Sequence, residues 1–152
     1  MGIYYKLKKS NKNEIDKLIQ YKLATIFAFA KDLPENEIEK IKKYVYKNVP
    51  LNLILYKSIY IDDELIGCLL VKLFRDGVII DEIYLEEKAR NKGIGTDIIK
   101  NVMSKNNIIY LCVYKNNIRA INLYETLGFK ITDDVVDETK LRFYMKYDQK
   151  KQ

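Results

Sequence analysis

The spacing of apolar positions changes along the chain, and each change marks an element. Residues 3–8 alternate at period two and predict a short strand. Capping side chains at residues 10–13 then precede Ile15, Leu18, Ile19, Leu23 and Ile26, whose helical spacing predicts a first helix. Pro34 interrupts that pattern, and Ile38, Ile41, Tyr44 and Val45 predict a second helix over residues 35–48 that Pro50 ends. Residues 51–61, 65–74 and 78–85 are rich in β-branched and aromatic side chains. They are separated by Asp62-Asp63-Glu64 and Arg75-Asp76-Gly77, so they predict an antiparallel meander.

Beyond the meander, Ile94, Ile98, Ile99, Val102 and Met103 lie on one helical stripe, and Asn106-Asn107 turns the chain into a buried strand at 108–113. This is a β-α-β-like crossover. Asn117 can cap a short helix running to about Leu127, Gly128 is placed to end it, and closing strands occupy 129–136 and 141–147. No repeat or linker interrupts the order, which predicts one mixed α/β domain over residues 1–152.

Composition narrows the chemistry. With 152 residues, 48% of them apolar, the chain has enough material for a sizeable core. No run approaches the ~18 apolar residues of a membrane span, and the start lacks the charged-then-apolar pattern of a signal peptide. A cytoplasmic protein without membrane contact is expected. Cys68 and Cys112 fall inside apolar strand-like runs and read as reduced core residues rather than a disulfide or metal pair. The absence of histidine excludes a His-based triad, a His general base and most zinc-site types. Proton transfer is left to Glu, Asp, Tyr, Lys, Cys or water. The net charge of +6 is spread throughout. Only residues 5–12 and Lys150-Lys151 are locally basic, and both read as solvated surface, so no nucleic-acid partner is expected.

The most informative stretch is 83–103, which reads as strand, tight loop and helix start. Gly93 and Gly95 remove side chains where a backbone must approach a ligand, and the first amides of the following helix lack intrahelical partners. Together with the positive end of the helix dipole they make an anion site suited to phosphate or pyrophosphate. A P-loop would need Gly-Lys-Ser/Thr, but here Lys92 precedes Gly93. A dinucleotide fingerprint would need a third glycine where Ile98 stands.

Arg90-Asn91-Lys92-Gly93-Ile94-Gly95 resembles the [Q/R]-x-x-G-x-[G/A] pyrophosphate loop of the GNAT acyltransferase superfamily. A second segment, Asn117-Ile118-Arg119-Ala120-Ile121-Asn122-Leu123-Tyr124-Glu125-Thr126-Leu127-Gly128-Phe129, is similar to that family's N-x-x-A-x-x-x-Y-x-x-x-G-F motif. The resemblance covers roughly residues 77–129, and the first half matches by its order of elements. One departure is Glu87, where many members carry proline. That changes loop stiffness and leaves the donors in place.

The resemblance implies the GNAT fold: a central, mostly antiparallel mixed sheet, a splayed pair of parallel strands and about four flanking helices. It implies acetyl-CoA as acyl donor and no metal, with residues 83–85 and 112–114 lining the cofactor cleft. Main-chain amides of Ile83, Tyr84 and Leu85 would face the thioester, and amides of Arg90, Asn91, Lys92, Gly93, Ile94, Gly95 and Thr96 would hold the pyrophosphate. Arg90 and Lys92 would add charge, and Asn117 and Asn122 are further candidate contacts, although Asn117 also reads as a helix cap. Gly128-Phe129 reads as the helix exit and core packing.

Tyr124 matches the family's tyrosine near the CoA sulfur and is the candidate general acid, set against a packing role among thirteen tyrosines. Glu82 is the candidate base, acting directly or through water, set against a solvent-facing strand position. Period two places Glu82 and Tyr84 on one face, with Ile83 and Leu85 opposite, and turns Asp81 away from Glu82.

The expected activity is direct transfer of an acetyl group to a primary amine of a small molecule or peptide, by a monomer or homodimer. The alternative is a weakly catalytic acyl-CoA-binding regulatory module. Asp133, Asp134, Asp137 and Glu138 in an expected loop, and Asp32, Glu35, Glu37 and Glu39 between the helices, are acidic clusters that could meet an ammonium group or simply be solvated.

Overall fold

The structure, a computed structural model, describes residues 4–136 and 141–152, so Ile3, Asp137 and Glu138 lie outside the described residues. Its elements are β1 (Lys6–Lys9), α1 (Ile15–Phe29), α2 (Glu35–Leu51), β2 (Tyr56–Ile61), β3 (Glu64–Phe74), β4 (Gly77–Leu85), α3 (Ile94–Lys105), β5 (Ile108–Tyr114), α4 (Ile118–Thr126), β6 (Lys130–Val135) and β7 (Arg142–Asp148). The seven strands run in the order β1-β2-β3-β4-β5-β7-β6.

Antiparallel registers join β1 to β2, β2 to β3, β5 to β7 and β6 to β7. The expected parallel pair is β4 and β5, in register from Val78↔Ile109 to Ile80↔Leu111, with α3 as the crossover. The expected elements thus assemble into a mixed, mostly antiparallel sheet with four α-helices among the described residues.

Two expectations need correction. Pro50 does not end α2 before it: the helix continues through Leu51, with Pro50 in its last turn, and residues 53–55 form a 3-10 turn before β2. A proline near a helix end removes only one late hydrogen bond, and a following 3-10 turn absorbs the change of direction. The apolar residues 51–55 thus belong to the helix exit and not to a strand. Asp133 and Asp134, expected in a loop, fall within β6, where the Asp134 carboxylate accepts a 2.8 Å hydrogen bond from the Arg75 guanidinium.

The chain groups into two compact units. One holds the residues up to Leu70 together with Glu82–Gly95. Its core joins Leu18, Ile19 and Tyr21 of α1, Val45 and Val49 of α2, Tyr56 of β2, and Cys68 and Leu70 of β3. Each large apolar side chain buried in this way contributes about 1.5–3 kcal/mol. The second unit holds Val71–Asp81 and the described residues from Thr96 onward, and it buries Ile98, Ile99, Ile109, Leu111, Val113, Ile121, Phe129 and Met145. Among the described residues, no helix is long and apolar enough to cross a membrane. Cys68 and Cys112 form no disulfide; Cys68 is buried as expected of a core residue, whereas Cys112 is only half-buried.

Candidate functional site

Within the first unit, β4 turns its carboxylates as period two requires. Asp81 is exposed and lies 3.3 Å from Lys72 Nζ, within the second unit, whereas Glu82 is 5% exposed. The solvent-facing alternative for Glu82 is therefore overturned. Tyr56 donates its hydroxyl to Glu82 Oε1 at 2.6 Å, the Cys68 thiol donates to Oε2 at 3.4 Å, and Lys22 Nζ stands 3.7 Å from Oε1. Burial first, and then the neighbouring Glu82 charge, push the Cys68 thiol well above its ordinary value, so it stays protonated and able to donate. An ionised carboxylate is tolerable at this depth because a cation and neutral donors surround it.

Tyr84 shares the face of Glu82, and its ring stacks on Tyr21 of α1 with centroids 4.7 Å apart. Tyr21 in turn donates a 2.5 Å hydrogen bond to Glu86 just beyond β4. Burial, and then Glu86, raise the Tyr21 hydroxyl far above the usual tyrosine range. Lys17 and Lys88 flank Glu86 at 3.9 and 3.8 Å. On the other side of β4 the backbone of β3 presses so close that a Cβ on Gly67 would collide with the Tyr84 carbonyl oxygen. Only glycine permits that approach.

The loop leaves β4 with Glu86 N donating to Ile66 O at 2.8 Å, then makes a 3-10 turn over Glu87–Ala89 anchored by buried Ala89. Glu87 is exposed and starts this turn where proline was the family's usual residue. Arg90 folds back: its Nε donates to the Leu85 carbonyl at 2.7 Å, and its guanidinium lies 5.3 Å from the Tyr84 ring centroid. Asn91 and Gly93 take φ of 61° and 82° on either side of Lys92. All three are exposed. A Cβ on Gly93 would meet nothing within 4 Å, so the backbone angle, and not packing, favours glycine there. At Gly95 a Cβ would make an ordinary 3.6 Å contact with Leu85, so the fold itself does not require that glycine. α3 then starts at Ile94, which is 2% exposed and pins the first turn. At a helix start the first amides lack intrahelical acceptors, and left-handed residues beside such a start are a backbone arrangement that suits an anion.

The remaining candidates belong to the second unit, as does Thr96. Asn117 caps α4, its side chain accepting from Ala120 N at 3.3 Å. Asn122 is exposed, and its carbonyl accepts from the Thr126 hydroxyl at 2.8 Å. The Tyr124 ring packs on Phe129 with centroids 5.9 Å apart, and burial raises its hydroxyl above the usual value, which keeps the proton at neutral pH. Gly128, with φ of 105°, ends the helix, and Phe129 is buried.

The first unit thus collects Glu82, Ile83, Tyr84, Leu85, Arg90, Asn91, Lys92, Gly93, Ile94 and Gly95. Sequence reasoning missed Lys22, Tyr56, Tyr21 and Glu86. One signal was present: Lys22 follows Leu18 by four and Ile19 by three, which puts a lysine inside the apolar stripe of α1. Among the described residues, no cluster of three or more His, Cys, Asp or Glu could hold a metal ion.

Residues 21–129 match the model of the Acetyltransferase (GNAT) family. The spermine/spermidine N(1)-acetyltransferase of Bacillus subtilis is 29% identical over 92 residues, which are 51% of this chain and 60% of that protein. The chain thus spans little more than half the length of that curated relative. Among solved structures, the PaiA N-acetyltransferase of Thermoplasma acidophilum in complex with coenzyme A superposes with a TM-score of 0.73 at 20% identity, covering 96% of this chain and 99% of that one. An acetyltransferase of Thermus thermophilus gives 0.72 at 15% identity, covering 97% and 99%. At these identities the structures establish a shared fold.

Proposed function

The chain belongs to the acetyltransferase (GNAT) family, and from that premise we propose that it transfers an acetyl group from acetyl-CoA directly to a primary amine in a ternary complex. The observation that carries this reading is the loop from Arg90 to Gly95, with left-handed Asn91 and Gly93, open space before Gly93 and the start of α3 directly behind. A pyrophosphate is the anion such a backbone suits. Arg90 braces the loop against Leu85, and Arg90 and Lys92 are both exposed cations of that loop.

Acyl transfer needs a neutral amine, a stabilised oxyanion and a protonated leaving thiolate. In this reading amides of Ile83, Tyr84 and Leu85 serve the thioester oxygen. Tyr124, with its proton retained by burial, delivers that proton to the CoA sulfur. Glu82 is the ultimate acceptor of the amine proton. Asn117 and Asn122 remain candidate CoA contacts. Spermidine is the first acceptor to try, since a relative is named for spermine and spermidine. We place the activity in the cytoplasm, in keeping with two cysteines that form no disulfide.

Calorimetric titration with acetyl-CoA, CoA and acetylpantetheine, which lacks the pyrophosphate, tests the loop. Tight binding of the first two and at least a tenfold loss with the third is expected; equal binding of all three removes the loop from the reading. Tyr124→Phe should lower turnover by about 10²-fold or more, and unchanged turnover would strip Tyr124 of its role. The depth of Glu82 favours one second reading, an acyl-CoA-binding regulatory module, which predicts CoA binding without thiol release for any amine.

A further inference from the structure

A buried base poses a problem of access. The Glu82 side chain is only 2% exposed, so an acceptor amine held at the surface does not touch it. Among the residues that hold it, Tyr56 and Cys68 are buried at 1% and 0% exposure, whereas the Lys22 side chain is 20% exposed. Lys22, on α1, therefore has its ammonium beside the carboxylate and part of its side chain open to solvent. Enclosed in the core, Tyr56 and Cys68 have almost no surface at which to take a proton from an amine, whereas Lys22 does.

We propose that Lys22 is the proton carrier between the acceptor amine and Glu82, an inference that rests on Glu82 being the base of the proposed acetyl transfer. In the step, an N–H bond of the Lys22 ammonium breaks and its proton passes to a Glu82 carboxylate oxygen, while the acceptor ammonium gives a proton to the Lys22 nitrogen. The acceptor becomes a neutral amine, Lys22 ends as an ammonium again, and Glu82 ends as the neutral acid. The sum of charges is +1 before and after, and no further reactant is needed. The 3.7 Å separation must shorten to ordinary hydrogen-bond reach, which the flexible four-carbon stem of lysine allows. Catalytic hydrogen bonds of ligand-free sites commonly tighten only when substrate is bound.

The relay differs from simple charge pairing in a way that one substitution exposes. Lys22→Arg keeps the positive charge and the salt bridge, but a guanidinium does not give up its proton in a protein. Turnover would be followed by thiol release from acetyl-CoA with a panel of amines headed by spermidine, for the wild type, Lys22→Arg, Lys22→Gln and Glu82→Gln. Melting temperature and acetyl-CoA affinity are measured on each. The relay predicts kcat losses of about 10²-fold or more for Lys22→Arg, Lys22→Gln and Glu82→Gln, at unchanged acetyl-CoA affinity. Turnover of Lys22→Arg within about threefold of the wild type, with Glu82→Gln impaired, would overturn the relay and leave Glu82 as base. Retained turnover of Glu82→Gln would overturn the base assignment and the relay with it, as would a wild type that acetylates no amine. If Lys22→Arg melts early, Lys22→Gln, whose neutral amide does not ionise, takes its place in this comparison. Full activity there overturns the relay equally.

Discussion

Glu14 and Glu82 lie in the same unit and are almost equally buried, 7% and 5% exposed. Both are held by side chains of β2 spaced two residues apart: Tyr56 on Glu82, Ser58 and Tyr60 on Glu14. Their partners differ in kind. Glu14 accepts from the Ser58 hydroxyl at 2.9 Å, from the Tyr60 hydroxyl and from the Asn11 backbone amide at 3.0 Å, and this last bond closes a capping box just ahead of α1. Because Ser58 spends its one proton on Glu14, Ser10 must donate in the 2.7 Å Ser10–Ser58 pair. Every donor in that set is neutral, and the helix start favours the negative charge. Glu82 has instead an ammonium reaching partly to solvent and a thiol below it. Burial and a tyrosine partner are common to both sites, so neither marks chemistry. What separates them is the cationic partner, the Lys22 ammonium beside Glu82.

The comparison breaks most sharply on two matched substitutions. Glu82→Gln should lower turnover by about 10²–10⁴-fold while acetyl-CoA binding persists, since a positioned general base is worth that much. Glu14→Gln should leave turnover per folded molecule unchanged. Equal losses in steady-state assays of purified, folded protein would mean that both carboxylates only support structure.

Removing the Glu14 side chain altogether inverts the pattern. Glu14→Ala removes the acceptor of the Ser58 and Tyr60 hydroxyls and opens the capping box, at a cost of about 3 kcal/mol. For a chain of this size that corresponds to a fall of roughly 6–12 °C in melting temperature. A drop under about 2 °C in a thermal melt would refute the structural role.

Legibility from sequence followed the range of the interactions. Elements set by local periodicity and punctuation were visible: the stripe of α1, the capping role of Asn117, the tight glycine loop before α3. Pro50 misled because a proline can end a helix or sit in its last turn, depending on how the chain leaves the helix, and Leu53–Leu55 are apolar in either case. The face of Glu82 was legible from period two, but its burial was not, since that depends on α1 and β2 contributing Lys22 and Tyr56 from 60 and 26 positions away. Lys22 was the exception, a charged residue inside an apolar stripe, and the local pattern alone carried no hint of which carboxylate it would meet.

The smallest effects make the finest test, because Tyr56 and Tyr60 are the same residue on the same strand. Tyr56→Phe and Tyr60→Phe each delete one hydroxyl that donates to a carboxylate, and each should destabilise the protein by about 1–2 kcal/mol, read as a shift in the denaturant midpoint. Only Tyr56→Phe should touch catalysis. Without its 2.6 Å bond, Glu82 Oε1 loses the donor that fixes its position against Lys22, and a loss of about 1.4 kcal/mol of that constraint in the transition state is a tenfold fall in kcat. Tyr60→Phe, acting on a carboxylate held by the Ser58 and Tyr60 hydroxyls and a backbone amide, should leave kcat within about twofold of the wild type. If the two variants instead lower kcat alike, β2 transmits a general loosening to the site, and the distinction between the two glutamates fails at the strand that binds them both.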